Sequence, residues 1–151
     1  EQSVFARSIL SEKKGPPPEI NLFNEKNNGQ TILKLANESL LKSCHDISLG
    51  GIIIALSKMA IYGKKGFDIS IPKVLINKYE YYFGEDQGRY IIEIDPKNLS
   101  KVEKILKGNL VHFENIGKVA KENIQIDKEP ILHIDELIKY NKDWLEGYMD
   151  K

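Results

Sequence analysis

Two short polar loops carry the side chains in this sequence that could best bind a ligand or take part in a reaction. The first, Cys44–Gly51, reads C-H-D-I-S-L-G-G, and Asp46 or Ser48 can cap the first free amides of a following helix. Gly50 and Gly51 would let another group approach the backbone, and free N–H groups at a helix N-terminus attract phosphate or carboxylate. Asp46 would repel a bare phosphate unless Mg²⁺ or a hydroxyl intervened. On these residues alone, an ordinary helix cap is the commoner interpretation.

The second loop, Phe83–Tyr90, reads F-G-E-D-Q-G-R-Y and places acceptors and donors on a short glycine-flanked turn. The carboxylates of Glu85 and Asp86 could bind Mg²⁺ or substrate hydroxyls and amides, and Gln87 adds a side-chain amide. Arg89 could pair with phosphate or with Glu85 itself. The alternative is a polar β-turn with a surface ion pair worth about 0–1 kcal/mol.

The remaining reactive side chains form no recognisable site. His45, His112 and His133 are scattered without metal-ligand spacing, so no metal site is predicted, and His112 is expected to be structural on an alternating strand. Cys44 is the single cysteine, which excludes an intramolecular disulfide and fits a reducing cytoplasm. The aromatic run Tyr79–Phe83 is typical of core or interface packing, and no catalytic acid–base pair is predicted.

Composition excludes several classes of protein. Lysine plus arginine equals aspartate plus glutamate at 22 each, so no strong field of one sign favours nucleic acid or an anionic membrane. No apolar stretch approaches the roughly 18 residues of a membrane span, and Glu1–Leu10 lacks the pattern of a leader peptide. We expect a cytoplasmic protein, and a first residue other than methionine suggests a piece of a longer chain.

The N-terminal part is interrupted by proline. Ser3–Leu10 has apolar residues at near-helical spacing, which predicts a short helix. The three prolines of Gly15–Pro18 favour an extended connector, and the polar segment Asn24–Gly29 predicts a loop. The expected divisions are residues 1–14 as the tail of a preceding domain or a linker helix, 15–28 as a Pro-rich connector, and 29–151 as one domain.

Apolar periodicity predicts the elements that must position the two loops. The predicted helices are Gln30–Lys42, Gly51–Tyr62, Asn98–Lys107 closed by Gly108, and Asp135–Met149 packed down through Leu137, Ile138, Trp144, Leu145 and Met149. The predicted strands are Phe67–Ile71, Arg89–Ile94, Leu110–Phe113, Gly117–Ala120 and Ile124–Ile126. The expected fold class is α+β, with a layered mixed or antiparallel sheet packed by helices.

Taken together, the loops resemble a known family. His45–Gly51 resembles the H-D-x-S-x-G-G segment of the C-terminal-type domain of the aminoimidazole ribonucleotide synthetase superfamily, and Gly84–Tyr90 resembles its S-E-S-Q-x-R-[YF] loop. Gly15–Leu22 is similar to the G-x-P-P-x-x-D-L connector of phosphoribosylformylglycinamidine synthases. The segment around Trp144 and Tyr148 resembles the end of the small bacterial form of that enzyme.

The resemblance implies part of an ATP-dependent carbon–nitrogen ligase of purine biosynthesis. Such an enzyme converts formylglycinamide ribonucleotide, ATP and ammonia from glutamine into formylglycinamidine ribonucleotide, ADP and phosphate. It implies ATP and Mg²⁺ in the intact enzyme, and as partners the enzyme's remaining domains, a glutaminase subunit, a small accessory subunit and the nucleotide substrate. This domain would form one wall of a nucleotide or substrate cleft, and the isolated fragment would be inactive. The implied binding residues are Asp46, Ser48, Gly50, Gly51, Glu85, Asp86, Gln87 and Arg89.

Three positions in the two loops depart from the family pattern. Gly84 and Asp86 replace its two serines, and Leu49 stands where aspartate is common. These changes suit a copy of the domain that has kept its fold while losing its site, which makes a non-catalytic structural or docking module the alternative. A sister family, such as aminoimidazole ribonucleotide synthetase or selenophosphate synthetase, is a further alternative against which the proline connector argues.

Overall fold

The structure is a computed structural model that describes residues 3–12, 15–70 and 77–149. Its helices are α1 (Val4–Ser8), α2 (Leu22–Asn37), α3 (Gly51–Gly63), α4 (Lys78–Phe83), α5 (Leu99–Gly108) and α6 (Ile134–Met149). Its strands are β1 (Leu41–Asp46), β2 (Phe67–Ile69), β3 (Tyr90–Ile94), β4 (Gly117–Val119), β5 (Asn123–Ile126) and β6 (Glu129–His133). The described residues form two compact units, one of residues 3–12, 15–56 and 77–114 and the other of 57–70 and 115–149.

The first unit is built on an antiparallel ribbon of β1 and β3. Leu35 of α2 packs with Leu40, and Val102 and Leu106 of α5 complete this buried apolar cluster. Val102 and Leu106 are one helical turn apart, so the two side chains fall on the same face of α5. Residues from β1 and β3, including Ile92, pack against the cluster, so the ribbon is anchored to both helices.

The second unit contains a four-stranded mixed sheet in the order β4-β2-β5-β6. β2 pairs parallel with β5 and antiparallel with β4, and Phe67, Ile69 and Ile124 are buried. β5 and β6 form a hairpin whose two turn residues, Asp127 and Lys128, both have positive φ (53° and 70°). Positive φ at both central residues matches the right-handed twist of the flanking strands.

The predicted fold class is confirmed, because helices pack mixed and antiparallel sheets. The apolar run after the first loop forms helix α3 as predicted, and β3 and α5 lie within a residue or two of their expected bounds. Strand β2 ends at Ile69, Ser70 lies outside it, and Ile71, the last residue of that prediction, lies outside the described residues. No helix in the described part of the chain is long and apolar enough to cross a membrane.

The prediction of a loop at Asn24–Gly29 is wrong, because these residues lie in the first half of α2. The helix begins at Leu22 rather than at Gln30, and the side chain of its N-cap, Asn21, accepts a hydrogen bond from the backbone N–H of Asn24 at 3.1 Å. None of its residues 22–29 is buried, while Thr31 and Leu35 in its second half are. The helix also ends earlier than predicted, at Asn37, and the residues from Leu41 onward form strand β1.

Several predictions fail toward the C-terminal side of the chain. Leu110–Phe113 forms no strand, and His112 is exposed beside Glu114 rather than structural. Gly108 is the last residue of α5, and Asn109 is the C-cap. The strand β6 and the helix α4 were not predicted. In α6, Trp144, Leu145 and Met149 are exposed instead of packed, and only the first residue, Ile134, is buried.

Candidate functional site

The β1–β3 ribbon brings the two polar loops to the same end of the sheet. Asp46 at the end of β1 pairs with Tyr90 at the start of β3, and the N–H of Ile47 continues the ladder by donating to the carbonyl of Arg89 at 2.8 Å. Cys44, His45 and Asp46 are therefore strand residues, and the loop proper is residues 47–50. The first loop leaves the ribbon where the second loop enters it, so their side chains meet.

A cleft of about 330 Å³ opens between the loops. It is lined by five of the predicted binding residues, namely Asp46, Ser48, Glu85, Gln87 and Arg89. The other three, Gly50, Gly51 and Asp86, do not line it. The structure thus assembles most of the predicted set on one surface, while the remaining three act on the framework behind it.

Glu85 holds the framework of the first loop. Its Oε1 accepts hydrogen bonds from the backbone N–H of Gly50 at 2.9 Å and from the backbone N–H of Val4 at 2.7 Å. A carboxylate that accepts backbone N–H groups makes short charge-assisted hydrogen bonds. One oxygen of Glu85 therefore ties the second loop to the first loop and to helix α1.

Arg89 is the cation of the cleft. Its Nη1 donates to Asp86 Oδ2 at 2.7 Å, which orients the guanidinium. Its Nη2 is buried and has no hydrogen-bond partner in the described part of the chain. A buried donor without a partner costs about 1–3 kcal/mol, so an oxygen of a ligand at this atom would relieve that cost.

Gly50 and Gly51 adopt conformations that require glycine. Their φ angles are +85° and +71°, in the region that side chains with a Cβ rarely adopt. A Cβ on Gly51 would lie 2.6 Å from the carbonyl oxygen of Tyr82 and 2.7 Å from the Cα of Phe83. The two glycines therefore allow α3 to start directly against the end of α4, where the second loop begins.

Sequence reasoning missed the contribution of helix α2 to the cleft. Glu25 lines it, and a Cβ on Gly88 would lie 3.0 Å from the Glu25 carboxylate carbon. The Asn28 side chain donates to the carbonyl of Gly88 at 2.9 Å and fixes the second loop to α2. The cap residue Asn21 was the available signal that this segment is helical.

Charge in the cleft is mainly negative. Among the described residues that line it, Glu25, Asp46 and Glu85 are acidic and Arg89 alone is basic, and the Asp46 side chain is 65% exposed. Within the described residues, no three His, Cys, Asp or Glu side chains are grouped to hold a metal ion. Glu85 is already engaged by backbone amides and Asp86 by Arg89, so the described residues do not make up a Mg²⁺ site by themselves.

Two side chains near the loops have shifted pKa values. Burial raises the pKa of Tyr81 to about 12, and the neighbouring carboxylate of Glu114, which accepts the phenol hydrogen bond at 3.2 Å, adds to the shift. Burial also raises the pKa of the Cys44 thiol, with Asp46 contributing. Because the thiolate is the nucleophilic form of cysteine, Cys44 is not an activated nucleophile.

The chain is similar to known proteins over nearly its whole length. The family model described as AIR synthase related protein, C-terminal domain, matches residues 2–127. The chain is 59% identical over 150 residues to phosphoribosylformylglycinamidine synthase subunit PurL of Pelagibacter ubique (strain HTCC1062), covering 99% of this chain and 20% of that protein. It is 34% identical over 148 residues to the subunit PurL of Bartonella henselae (strain ATCC 49882 / DSM 28221 / CCUG 30454 / Houston 1), covering 98% and 20%. It thus spans about a fifth of the length of these curated relatives.

Solved structures share the fold. The structure of T. maritima PurL complexed with FGAR superposes with a TM-score of 0.72 at 19% identity, covering 89% of this chain and 24% of that chain. T. maritima PurL complexed with ATP gives a TM-score of 0.67 at 19% identity, covering 79% and 22%. The matched family model covers most of the sequence, including both loops. The chain belongs to the family of AIR synthase related proteins, C-terminal domain.

Proposed function

We propose that this chain is the C-terminal domain of a phosphoribosylformylglycinamidine synthase and forms one wall of a nucleotide or substrate cleft. The observation that carries the proposal is the meeting of the two loops at one cleft lined by Arg89, whose Nη2 is buried and has no hydrogen-bond partner among the described residues. The sequence identity to the PurL subunits supports the assignment of the domain to that enzyme. The proposed binding residues are Asp46, Ser48, Gly50, Gly51, Glu85, Asp86, Gln87 and Arg89, with Gly50, Gly51 and Asp86 acting through the framework.

The charge of the cleft points to the part of the ligand that this wall contacts. Glu25 and Asp46 are hydrogen-bond acceptors when ionised, so they suit hydroxyl, amide or amine donors rather than phosphate oxygens. Nη2 of Arg89, which has no hydrogen-bond partner among the described residues, would donate to a ligand oxygen. The wall would therefore recognise the sugar hydroxyls or amide groups of a nucleotide, while its phosphates would be neutralised by groups outside this chain.

The longer protein would carry out the reaction named by its relatives. It would use formylglycinamide ribonucleotide, ATP and ammonia, with Mg²⁺ held by residues beyond those described here. The remaining domains of the same enzyme, a glutaminase subunit and a small accessory subunit would be its partners, and the enzyme would be cytoplasmic. Since the groups that would hold Mg²⁺ and the phosphates lie outside this chain in this proposal, we expect the 151-residue chain alone to release no ADP.

The binding part of the proposal is tested by nuclear magnetic resonance on the ¹⁵N-labelled chain. Titration with adenosine should shift the backbone amides of Leu49 and Gly88, whereas inorganic phosphate should not. Arg89→Gln should weaken the adenosine shifts, while Lys107→Gln, which removes an exposed cation elsewhere in the same unit, should leave them unchanged. Unmoved cleft amides in adenosine, or equal behaviour of the two variants, would contradict a ligand wall.

The alternative is a structural or docking module of the same enzyme, and helix α6 favours it. Tyr140, Trp144 and Tyr148 recur at four-residue steps and are all more than 60% exposed, as an apolar face that another surface could cover. The two functions separate in the complete enzyme. Asp46→Ala and Arg89→Ala should lower nucleotide affinity if the cleft binds ligand, whereas Trp144→Ala alone should disturb assembly if the domain is only a scaffold.

A further inference from the structure

We propose that helix α1 is a positioning element of the cleft, which keeps its shape only while α1 is docked. The segment was predicted to be the tail of a preceding domain or a linker. In the structure it is joined to the second loop by an aromatic stack and by one carboxylate oxygen. The residues that carry this inference are Val4 and Phe5 on α1 and Phe83 and Glu85 at the second loop.

The aromatic stack seats α1 on α4. The ring of Phe5 lies 4.2 Å from that of Phe83 and 5.7 Å from that of Tyr79, measured between centroids, with interplanar angles of 10° in both pairs. Aromatic pairs of this kind contribute beyond the apolar area that they bury. Phe83 is the last residue of α4, so the stack places the start of α1 beside the loop that follows.

Glu85 connects α1 to the first loop. Val4 is the first residue of α1, and its N–H is one of the backbone donors that a helix cannot satisfy internally. That N–H and the N–H of Gly50 converge on the same Oε1 of Glu85, at 2.7 and 2.9 Å. The carboxylate is thereby fixed from two sides, and Gly50 is held by an acceptor whose own position depends on α1.

Undocking of α1 therefore changes the cleft. With one donor instead of two, the Glu85 side chain gains rotamer freedom and leaves Gly50 unbonded for part of the time. The first loop contains a turn in which the N–H of Gly51 donates to the carbonyl of Ser48 at 3.0 Å. This turn then loses the hydrogen bond from Gly50 to Glu85 that holds it in place. Val4 thus acts through Glu85, Phe5 seats the helix that carries Val4, and both are positioning residues that touch no ligand.

A single substitution isolates the Val4 hydrogen bond. Proline is well tolerated at the first position of a helix, and Ser3 already has φ −78° and ψ 162°, which suit a residue before proline. Val4→Pro therefore removes the donor while the helix start is kept, and Val4→Ala is the matched control that retains the N–H. In the 151-residue chain, amide hydrogen exchange at Gly50 should be roughly tenfold faster in Val4→Pro than in Val4→Ala, as expected for a hydrogen bond to a charged group.

Two further variants test whether the effect passes through Glu85. Phe5→Ala, which removes the stack, should accelerate Gly50 exchange in the same direction as Val4→Pro. In a Glu85→Ala background, Val4→Pro should add nothing, because the acceptor through which it acts is gone. Overall folding is followed by exchange at Leu35, which should be unchanged by Val4→Pro.

The inference is overturned if Gly50 exchange differs by less than about twofold between Val4→Pro and Val4→Ala, or if the Val4→Pro effect persists in full without Glu85. It rests on the proposed function only in treating the cleft as a ligand site. Hydrogen exchange is measured without ligand, so a failed adenosine titration refutes the proposed function and leaves the positioning role of α1 standing. Unchanged Gly50 exchange refutes the positioning role whatever the titration shows.

Discussion

Replacement of Gly51 by alanine tests the close approach of α3 and α4 directly. The φ angle of +71° places an alanine in the left-handed region at a cost of about 1–2 kcal/mol. Its Cβ would also meet backbone atoms of Tyr82 and Phe83 at 2.6 and 2.7 Å, and such overpacking typically costs about 1–3 kcal/mol. The atoms in the way are backbone and cannot rotate aside. We therefore expect Gly51→Ala to lower the free energy of unfolding by roughly 2–5 kcal/mol.

The same helix supplies the matched control. Gly63, at the other end of α3, has no atom within 4 Å of the position that a Cβ would take. Gly63→Ala should leave stability unchanged or raise it by up to about 1 kcal/mol, since alanine favours helix more than glycine does. Urea unfolding followed by far-ultraviolet circular dichroism gives both values, provided that the slope stays the same. Equal stabilities of the two variants would refute the packing of Gly51 against the end of α4.

Three further predictions concern the core, the loop region and the last helix. Leu35→Ala, at a fully buried position, should lower the free energy of unfolding by about 3 kcal/mol, whereas Leu33→Ala, at a position 65% exposed in the same helix, should change it by less than about 0.5 kcal/mol. The pKa of Tyr81 is raised from 10.0 to about 12, so the folded state favours the protonated phenol. The stability that this preference contributes is complete below pH 10 and is lost as the pH rises through about 12. Absorbance at the tyrosinate band should show a late-ionising tyrosine that Tyr81→Phe removes. Trp144 is the single tryptophan and is 61% exposed, so acrylamide should quench its fluorescence nearly as well as that of a free indole; a blue-shifted, protected emission would contradict an uncovered α6.

Local patterns predicted the elements whose own apolar residues indicate which positions are buried. The unbroken apolar run of α3 and the alternation of β3 needed no knowledge of distant contacts. Strand β1 was missed because its sequence, L-K-S-C-H-D, has one large apolar residue and gives no strong alternation. What makes it a strand is its pairing with β3, whose paired residues lie 44 to 53 positions further along the chain and are not reported by a local pattern.

The residue types of the candidate site could be predicted from the sequence, but the contacts between them could not. The residue types of both loops were recognised, and the structure places most of them on one cleft. That Glu85 serves the backbone of Gly50, and that Glu25 reaches the cleft from α2, depends on tertiary contacts between segments far apart in sequence. These tertiary contacts also determine that carboxylates outnumber cations among the described lining residues, and this excess decides which part of a ligand the cleft favours.

The departures from the family pattern have a local structural cause. Gly84 stands where the pattern has serine, and a Cβ there would lie 2.5 Å from the carbonyl oxygen of Glu80, to which the N–H of Gly84 donates at 2.9 Å. Glycine thus lets the chain close tightly over the last turn of α4. Asp86, at the second departure, orients Arg89 from outside the cleft. Both changes alter how the loop is supported, whereas Gln87 and Arg89, which line the cleft, keep the types that the pattern requires, so these two departures alone do not argue that the site has been lost.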